Sequence, residues 1–335
     1  MAPLVGIPFG GSTAGSRVLV TGAHGLLGSA LTRRLLELGA DLTVLRLEQQ
    51  PLSALVLESL ETDCTVVEGD ILDAELVSTT ITDRKIDTIV HLAAQTIVGT
   101  ANASPRATFE ANVHGTWNLL EAARLASVER VVFASSDKAY GASDLLPYLE
   151  TMPLQASHPY DASKAAADII ARSYWSTYGL PVAVTRLANI YGGGDRNRSR
   201  LIPETVAAVL AERAPVIRSD GSPERDFLYV EDAVEAYLAI LDLLDVGAAS
   251  GEAFNAGSGV PRRAIDVVTA LCEIAGFDQK PEVLGAGVPE GEIDRQWNDS
   301  SKLTALSGWS PSVELEQGLS LTLDWYSRHP EVLAD

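Results

Sequence analysis

Two groups of side chains in this chain have the types and spacing to do chemistry together. In Tyr160-Asp161-Ala162-Ser163-Lys164, a tyrosine and a lysine stand four residues apart. On a helix that spacing puts phenol and ammonium on one face. A neighbouring ammonium favours the tyrosinate. A tyrosinate can take a proton from a substrate hydroxyl while hydride leaves the same carbon for a nicotinamide. The same pair is also an ordinary surface pair, so its meaning depends on what else the chain carries. It carries Thr21-Gly22-Ala23-His24-Gly25-Leu26-Leu27-Gly28. Gly22, Gly25 and Gly28 allow a tight turn and close backbone approach to a pyrophosphate. Leu26 and Leu27 open a helix whose N-terminus attracts that charge.

A scaffold must bring these groups together, and the hydrophobic pattern supplies one. Residues 17–21 (RVLVT) read as a strand feeding the glycine turn. Residues 26–38 carry apolar side chains at helical spacing, with Gly39 as the stop. Strands are predicted at 42–47, 64–68, 88–92, 130–135 and 182–187, and long helices at 105–126 and 157–178. Apolar strands alternating with helices predict a parallel sheet covered on both faces, a Rossmann-type doubly wound α/β fold. Past residue 190 the elements shorten and prolines interrupt them. The expected organisation is therefore a flexible leader at 1–16, a dinucleotide-binding domain at 17–190, and a smaller mixed α/β lobe at 191–335. The lobe takes the substrate and is partly interleaved with the first domain.

That frame names further cofactor residues. The second strand ends in Val44-Leu45-Arg46-Leu47-Glu48. A carboxylate at that end reads the ribose of NAD, whereas an arginine accommodates the 2′-phosphate of NADP. NAD is the expected cofactor, and Arg46 leaves NADP open. Glu48 as ribose ligand, or Arg46 stacked on adenine, are the alternatives. Asp70 and Ile71 after the third strand would flank the adenine. Ala93 and Ala94 after the fourth are small enough for close approach.

Composition narrows the class. The chain has 335 residues, 46% of them hydrophobic, enough for a large core. No run of eighteen apolar residues occurs, so no membrane span is expected. Acidic residues number 45 against 25 basic, net −20, which disfavours nucleic acid and anionic lipid as partners. Against that background Arg186, Arg196, Arg198, Arg200, Arg213, Arg218 and Arg225 fall in one stretch without a lysine, a candidate anion site. Arg213 is the one expected to be a mere surface charge. Cys64 and Cys272 form no disulfide framework, the N-terminus does not read as a signal peptide, and no metal-ligand spacing occurs. A cytoplasmic setting fits.

From residue 17 to about 326 the chain resembles the extended short-chain dehydrogenase/reductases of the nucleotide-sugar epimerase and dehydratase group. The motifs are the glycine turn, His91-Leu92-Ala93-Ala94-Gln95, Ala111-Asn112-Val113-His114-Gly115-Thr116 and YDASK. Arg186-Leu187-Ala188-Asn189-Ile190-Tyr191-Gly192, Arg225-Asp226-Phe227-Leu228-Tyr229-Val230-Glu231-Asp232 and Gly308-Trp309 complete the set. The resemblance implies that Ser136 hydrogen-bonds the sugar C4 hydroxyl. It implies that Asp137-Lys138 is the acid–base pair of the CDP-glucose 4,6-dehydratase branch, Asp137 protonating the departing C6 hydroxyl and Lys138 removing the C5 proton. A structural salt bridge between the two is the plain alternative. A base lysine must be uncharged, and burial beside Lys164 would push Lys138 that way. The resemblance further places Asn189, Arg225 and Arg295 on the nucleotide diphosphate, Arg200 near the base and Gln95 on the substrate side. It also implies a homodimer through the two long helices. A 4-epimerase shares the oxidation step and is the rival activity. A cofactor-sensing protein without turnover is a third reading, against which the intact Ser136, Tyr160 and Lys164 speak.

Overall fold

The computed structural model describes residues 9–287 and 293–334. Its centre is a seven-stranded, all-parallel sheet. Six strands are β1 (Arg17–Thr21), β2 (Asp41–Arg46), β3 (Thr65–Glu68), β4 (Thr88–His91), β5 (Arg130–Ala134) and β6 (Val182–Leu187). The seventh, Ala253–Ala256, pairs with β6, giving the order Ala253–Ala256, β6, β5, β4, β1, β2, β3. Alternating side chains build a core on each face, because strand side chains alternate with period two. Val18 and Val20 join Leu31, Leu35, Val234 and Leu238 beneath helices Leu26–Glu37 and Val230–Asp245. Leu19, Val131 and Phe133 join Leu119, Ala167 and Ala171 beneath Gly115–Leu125 and Pro159–Tyr178. A third cluster, around Tyr191, Val206, Leu271, Leu319 and Tyr326, forms the core of the smaller lobe.

Two expectations change. Residues 9–16 are not a loose leader. Gly10 N and Ser12 Oγ donate to Asp242 at 2.8 and 2.7 Å, and Arg130 donates to Ser12 O and Ser16 Oγ at 3.0 and 2.7 Å. Residues 1–8 of the expected leader lie outside the described residues. The helix expected at 105–126 is three pieces: Pro105–Phe109, a π-helical turn at Glu110–His114, and Gly115–Leu125. Apolar spacing continues through the turn, so periodicity does not expose it, and such turns gather at functional sites. Ala253–Ala256 joins the central sheet, and Val230–Asp245 packs against β5 and β6, although both follow residue 190.

Among the described residues, no helix is long and apolar enough to cross a membrane.

Candidate active site

A cleft of about 1040 Å³ opens at the carboxyl ends of the strands, where parallel sheets bind ligands. It exceeds the usual ~300–1,000 Å³ of a single small-ligand pocket. The glycine turn forms one wall with Gly22, Gly25, Leu26, Leu27 and Gly28. Ser136, Asp137, Lys138, Tyr160 and Lys164 form the floor. Asn189, Arg200 and Arg225 form another wall.

The turn fits a dinucleotide. Gly22 has φ +75°, and a Cβ there would stand 2.7 Å from Ala93 N. A Cβ on Gly28 would overlap the Gly22 carbonyl oxygen. The backbone is thus kept bare where it turns into the N-terminus of Leu26–Glu37, the cradle a pyrophosphate requires. Thr21 holds the neighbouring strand end by accepting from Ala93 N at 3.2 Å. His91 contacts Thr21 Oγ1 through Nδ1 at 2.7 Å and Thr116 Oγ1 through Nε2 at 3.1 Å. Thr116 Oγ1 already donates to Asn112 O, so Nε2–H is the donor and Nδ1 the acceptor. Burial pushes the His91 imidazole down to about 3, with Lys164 adding to the effect, so it stays neutral.

The floor is set by the end of β5 meeting the start of Pro159–Tyr178. Pro159 occupies the first helical turn, where its missing N–H costs nothing. Lys164 Nζ donates to Ala134 O at 2.8 Å, and burial lowers its pKa to about 8. Ser163, next to it on the Tyr160 side, is also tethered. Ser163 Oγ donates to Tyr160 O at 2.6 Å and accepts from Asn112 Nδ2 at 2.9 Å. Asn112 also donates to Gln95 O and accepts from Gln95 N, at 2.9 and 2.7 Å. The π-turn therefore delivers one amide that ties the loop after β4 to the tyrosine helix. Asn112 lay inside a motif that the sequence displayed, but nothing in its spacing pointed to this bridge.

Tyr160 departs from expectation. Burial pushes its phenol up to about 12, and the groups opposing burial are Arg200 and Ser136 rather than Lys164, whose ammonium is held at the Ala134 carbonyl. Asp137 is 3% exposed, and burial raises it to about 7, with Asp226 adding while Lys138 and Arg225 oppose. Its Oδ1 accepts from Ser136 Oγ at 3.2 Å, whereas Oδ2 is buried without a partner. Among the described residues no salt bridge joins Asp137 to Lys138, so the plain structural alternative is not what the pair forms. Asp161, also buried in the cleft, is raised by burial and feels the Lys138 charge.

Other expected residues sit elsewhere. Asp70 Oδ1 accepts from Leu72 N, closing the turn after β3, and Ile71 is buried against Gly115. Ala93 backs the glycine turn, and neither Ala93 nor Ala94 lines the cleft. Gln95 Nε2 donates to Ile97 O at 3.0 Å, so its amide is spent on its own loop rather than on the cleft. Arg295 pairs with Glu224 at 2.7 Å on an exposed edge and lies over the Trp297 ring, away from the cleft. Arg186 leaves the candidate anion site altogether. It is 1% exposed and bound to Asp168 at 2.8 Å and Tyr140 at 2.9 Å, a buried core pair. Arg196, Arg200, Arg218 and Arg225 remain on the cleft wall, and Arg213 is exposed as expected. Arg225 is braced by donating to Glu224 O and Asp294 O, each at 3.0 Å. Glu48 and Arg46, the two candidates for reading the ribose, both stand outside the cleft wall, at the end of β2.

Comparison with known proteins agrees with this geometry. Residues 18–257 match the NAD dependent epimerase/dehydratase family. An Arabidopsis thaliana trifunctional enzyme, whose first named activity is UDP-glucose 4,6-dehydratase, is 32% identical over 95% of this chain. The chain spans about half that relative's length, 48%. A dTDP-glucose 4,6-dehydratase from Streptomyces venezuelae, solved with NAD bound, is 31% identical with a TM-score of 0.85, covering 94% of this chain and 98% of its own. A UDP-glucose 4-epimerase from Thermotoga maritima, solved with UDP-glucose, is 28% identical with a TM-score of 0.86, covering 94% and 99%. Backbone likeness therefore does not separate dehydratase from epimerase, and the cleft side chains must.

Proposed function

Because the chain belongs to the NAD-dependent epimerase/dehydratase family, we propose that it is a nucleotide-sugar 4,6-dehydratase using NAD. The observation carrying this reading is Asp137, a buried carboxyl raised to about 7 with one oxygen unpartnered, in the same cleft as Lys138, Tyr160 and Lys164. A simple epimerisation at C4 has no use for a second acid beside the tyrosine.

NAD held at Gly22, Gly25 and Gly28 would supply a hydride acceptor at sugar C4 and a hydride donor at C6, so the reaction would have no net oxidation. Tyr160 takes the C4 hydroxyl proton, with Ser136 as its hydrogen-bond neighbour. Lys164, held at the Ala134 carbonyl, orients and charges that corner. The C4 ketone acidifies the C5 proton, which Lys138 removes. Near pH 7 about half of Asp137 is protonated, and it donates to the departing C6 hydroxyl. Water leaves, the C5=C6 bond forms, and hydride addition at C6 with a proton at C5 completes a 4-keto-6-deoxy sugar. Asn189 and Arg225 hold the diphosphate end, since arginine forks suit phosphate oxygens, and Arg200, paired with Asp195 at 3.1 Å, stands near the base. Gln95 and Arg295 are not given substrate roles, because their side chains are spent on Ile97 and Glu224.

The same reading includes a homodimer. Phe109, Trp117, Ile169, Trp175 and Tyr178 are exposed on the two long helical segments. Two such helices from each copy can bury those faces together. The free cysteines fit a reducing, cytoplasmic setting.

The deciding experiment incubates the enzyme with a panel of nucleotide sugars in deuterated water. A 4-keto-6-deoxy product carrying deuterium at C5 is expected. A product inverted at C4, with its C6 hydroxyl and no deuterium at C5, would establish the epimerase instead.

A further inference from the structure

Arg46 is the last residue of β2, and β2 pairs with β1 in parallel register, Leu45 opposite Thr21. It therefore stands level with the first glycine of the turn, where the adenosine ribose is read. An arginine there is the feature that made NADP a candidate. Its guanidinium, however, is already engaged. Nη1 donates to Glu61 Oε1 at 2.9 Å, and Nη2 donates to Glu68 Oε1. Glu61 Oε1 also contacts His24 Nε2 at 2.7 Å, so the second variable residue of the glycine turn is pulled into the same cluster. Gln49 Nε2 donates to Glu68 at 3.3 Å. The side chains of Arg46 and Glu61 are 12% and 20% exposed, so solvent screens this cluster only partly.

Two carboxylates face one guanidinium, and the site is left with an acidic balance. A ribose 2′-hydroxyl can donate to either carboxylate. A 2′-phosphate would have to displace both from Arg46 and then sit beside them. We infer that Glu61 and Glu68 set the dinucleotide choice of this protein, by occupying Arg46 and so converting an arginine that would bind 2′-phosphate into part of a site that refuses it. This rests on the dinucleotide reading above. It assigns a selectivity role to the Glu61–Arg46–Glu68 clamp, with His24 as the residue that holds Glu61 in place.

The test reads bound cofactor rather than turnover. The full-length protein is equilibrated with equimolar NAD and NADP, separated from free nucleotide, and denatured. The released dinucleotides are then quantified by chromatography. Wild-type protein is expected to retain NAD almost exclusively. In the Glu61→Gln/Glu68→Gln double variant the NAD:NADP ratio should fall by on the order of tenfold or more, since a charge-assisted phosphate contact becomes available. Adding Arg46→Ala to that variant should remove the NADP it gained. Glu68→Gln alone, at a largely exposed position, is the safeguard should the double variant fail to fold, and its ratio should move in the same direction. An unchanged ratio in these variants overturns the inference, as does an Arg46→Ala single variant that loses NADP relative to wild type. Wild-type protein that retains neither nucleotide overturns the dinucleotide reading itself, and this inference with it.

Discussion

Replacing Asp137 with asparagine should stabilise the protein and abolish dehydration, and pH should separate the two effects. The carboxyl is 3% exposed, and burial lifts it from the ordinary 3.8 to about 7. A folded-state pKa raised above the unfolded one gives a contribution that is fully present below about pH 4 and is lost as pH rises through about 7. Above that, the native state holds a charge that the unfolded chain would solvate better. A shift of about three pH units at ~1.36 kcal/mol each makes the cost about 4 kcal/mol at pH 8, and only about 2 kcal/mol at pH 5. Asparagine has the same shape and no charge at either pH. Its Oδ1 can still accept from Ser136, but its Nδ2 takes the place of the unpartnered Oδ2 and is buried without an acceptor, which costs about 1 kcal/mol. The net gain should be about 3 kcal/mol at pH 8 and about 1 kcal/mol at pH 5. At roughly 2 °C per kcal/mol for a large domain, that is a rise in Tm of about 6 °C at pH 8. Thermal melts at the two pH values measure it, and the same samples are assayed for 4-keto-6-deoxy product. An equal shift at both pH values, or a loss at pH 8, would refute the buried-acid assignment. Product formation near the wild-type rate would refute its role as the proton donor.

Three further outcomes are expected. Tyr160→Phe should lower turnover by about 10²–10⁴ while the purified protein still retains its dinucleotide, because only the proton acceptor is lost. Retained activity would remove Tyr160 from the chemistry. Gly28→Ala forces a methyl group into the Gly22 carbonyl, so the protein should emerge without bound dinucleotide, as nucleotide extraction would show. Ile169→Glu places a charge on a side chain that is 55% exposed. It should leave the monomer folded but shift light-scattering mass from dimer to monomer, and an unchanged mass would argue against that face as the interface.

What the sequence alone determined is what depends on local chemistry. The doubly wound sheet followed from apolar strands alternating with helices, the glycine turn from its place between the first strand and the first helix, and the Tyr160–Lys164 pair from helical spacing. These are short-range constraints, and they survive folding. The outcomes that the tertiary structure decided all turn on partners distant in the chain. Arg186 looked like its neighbours in an arginine-rich stretch, yet Asp168 and Tyr140 draw it into the core. Arg46 looked like a phosphate reader until Glu61 and Glu68, 15 and 22 residues away, closed on it. Residues 9–16 looked loose, but Asp242 and Arg130 anchor them. The phenol of Tyr160 was expected to fall beside a lysine; burial, which no spacing reports, drives it up instead. Charge and hydrogen-bond partners are properties of the assembled site, and desolvation depends on everything that surrounds a group. Residue type and spacing therefore nominate the chemistry, while three-dimensional packing assigns each charge its partner and its proton.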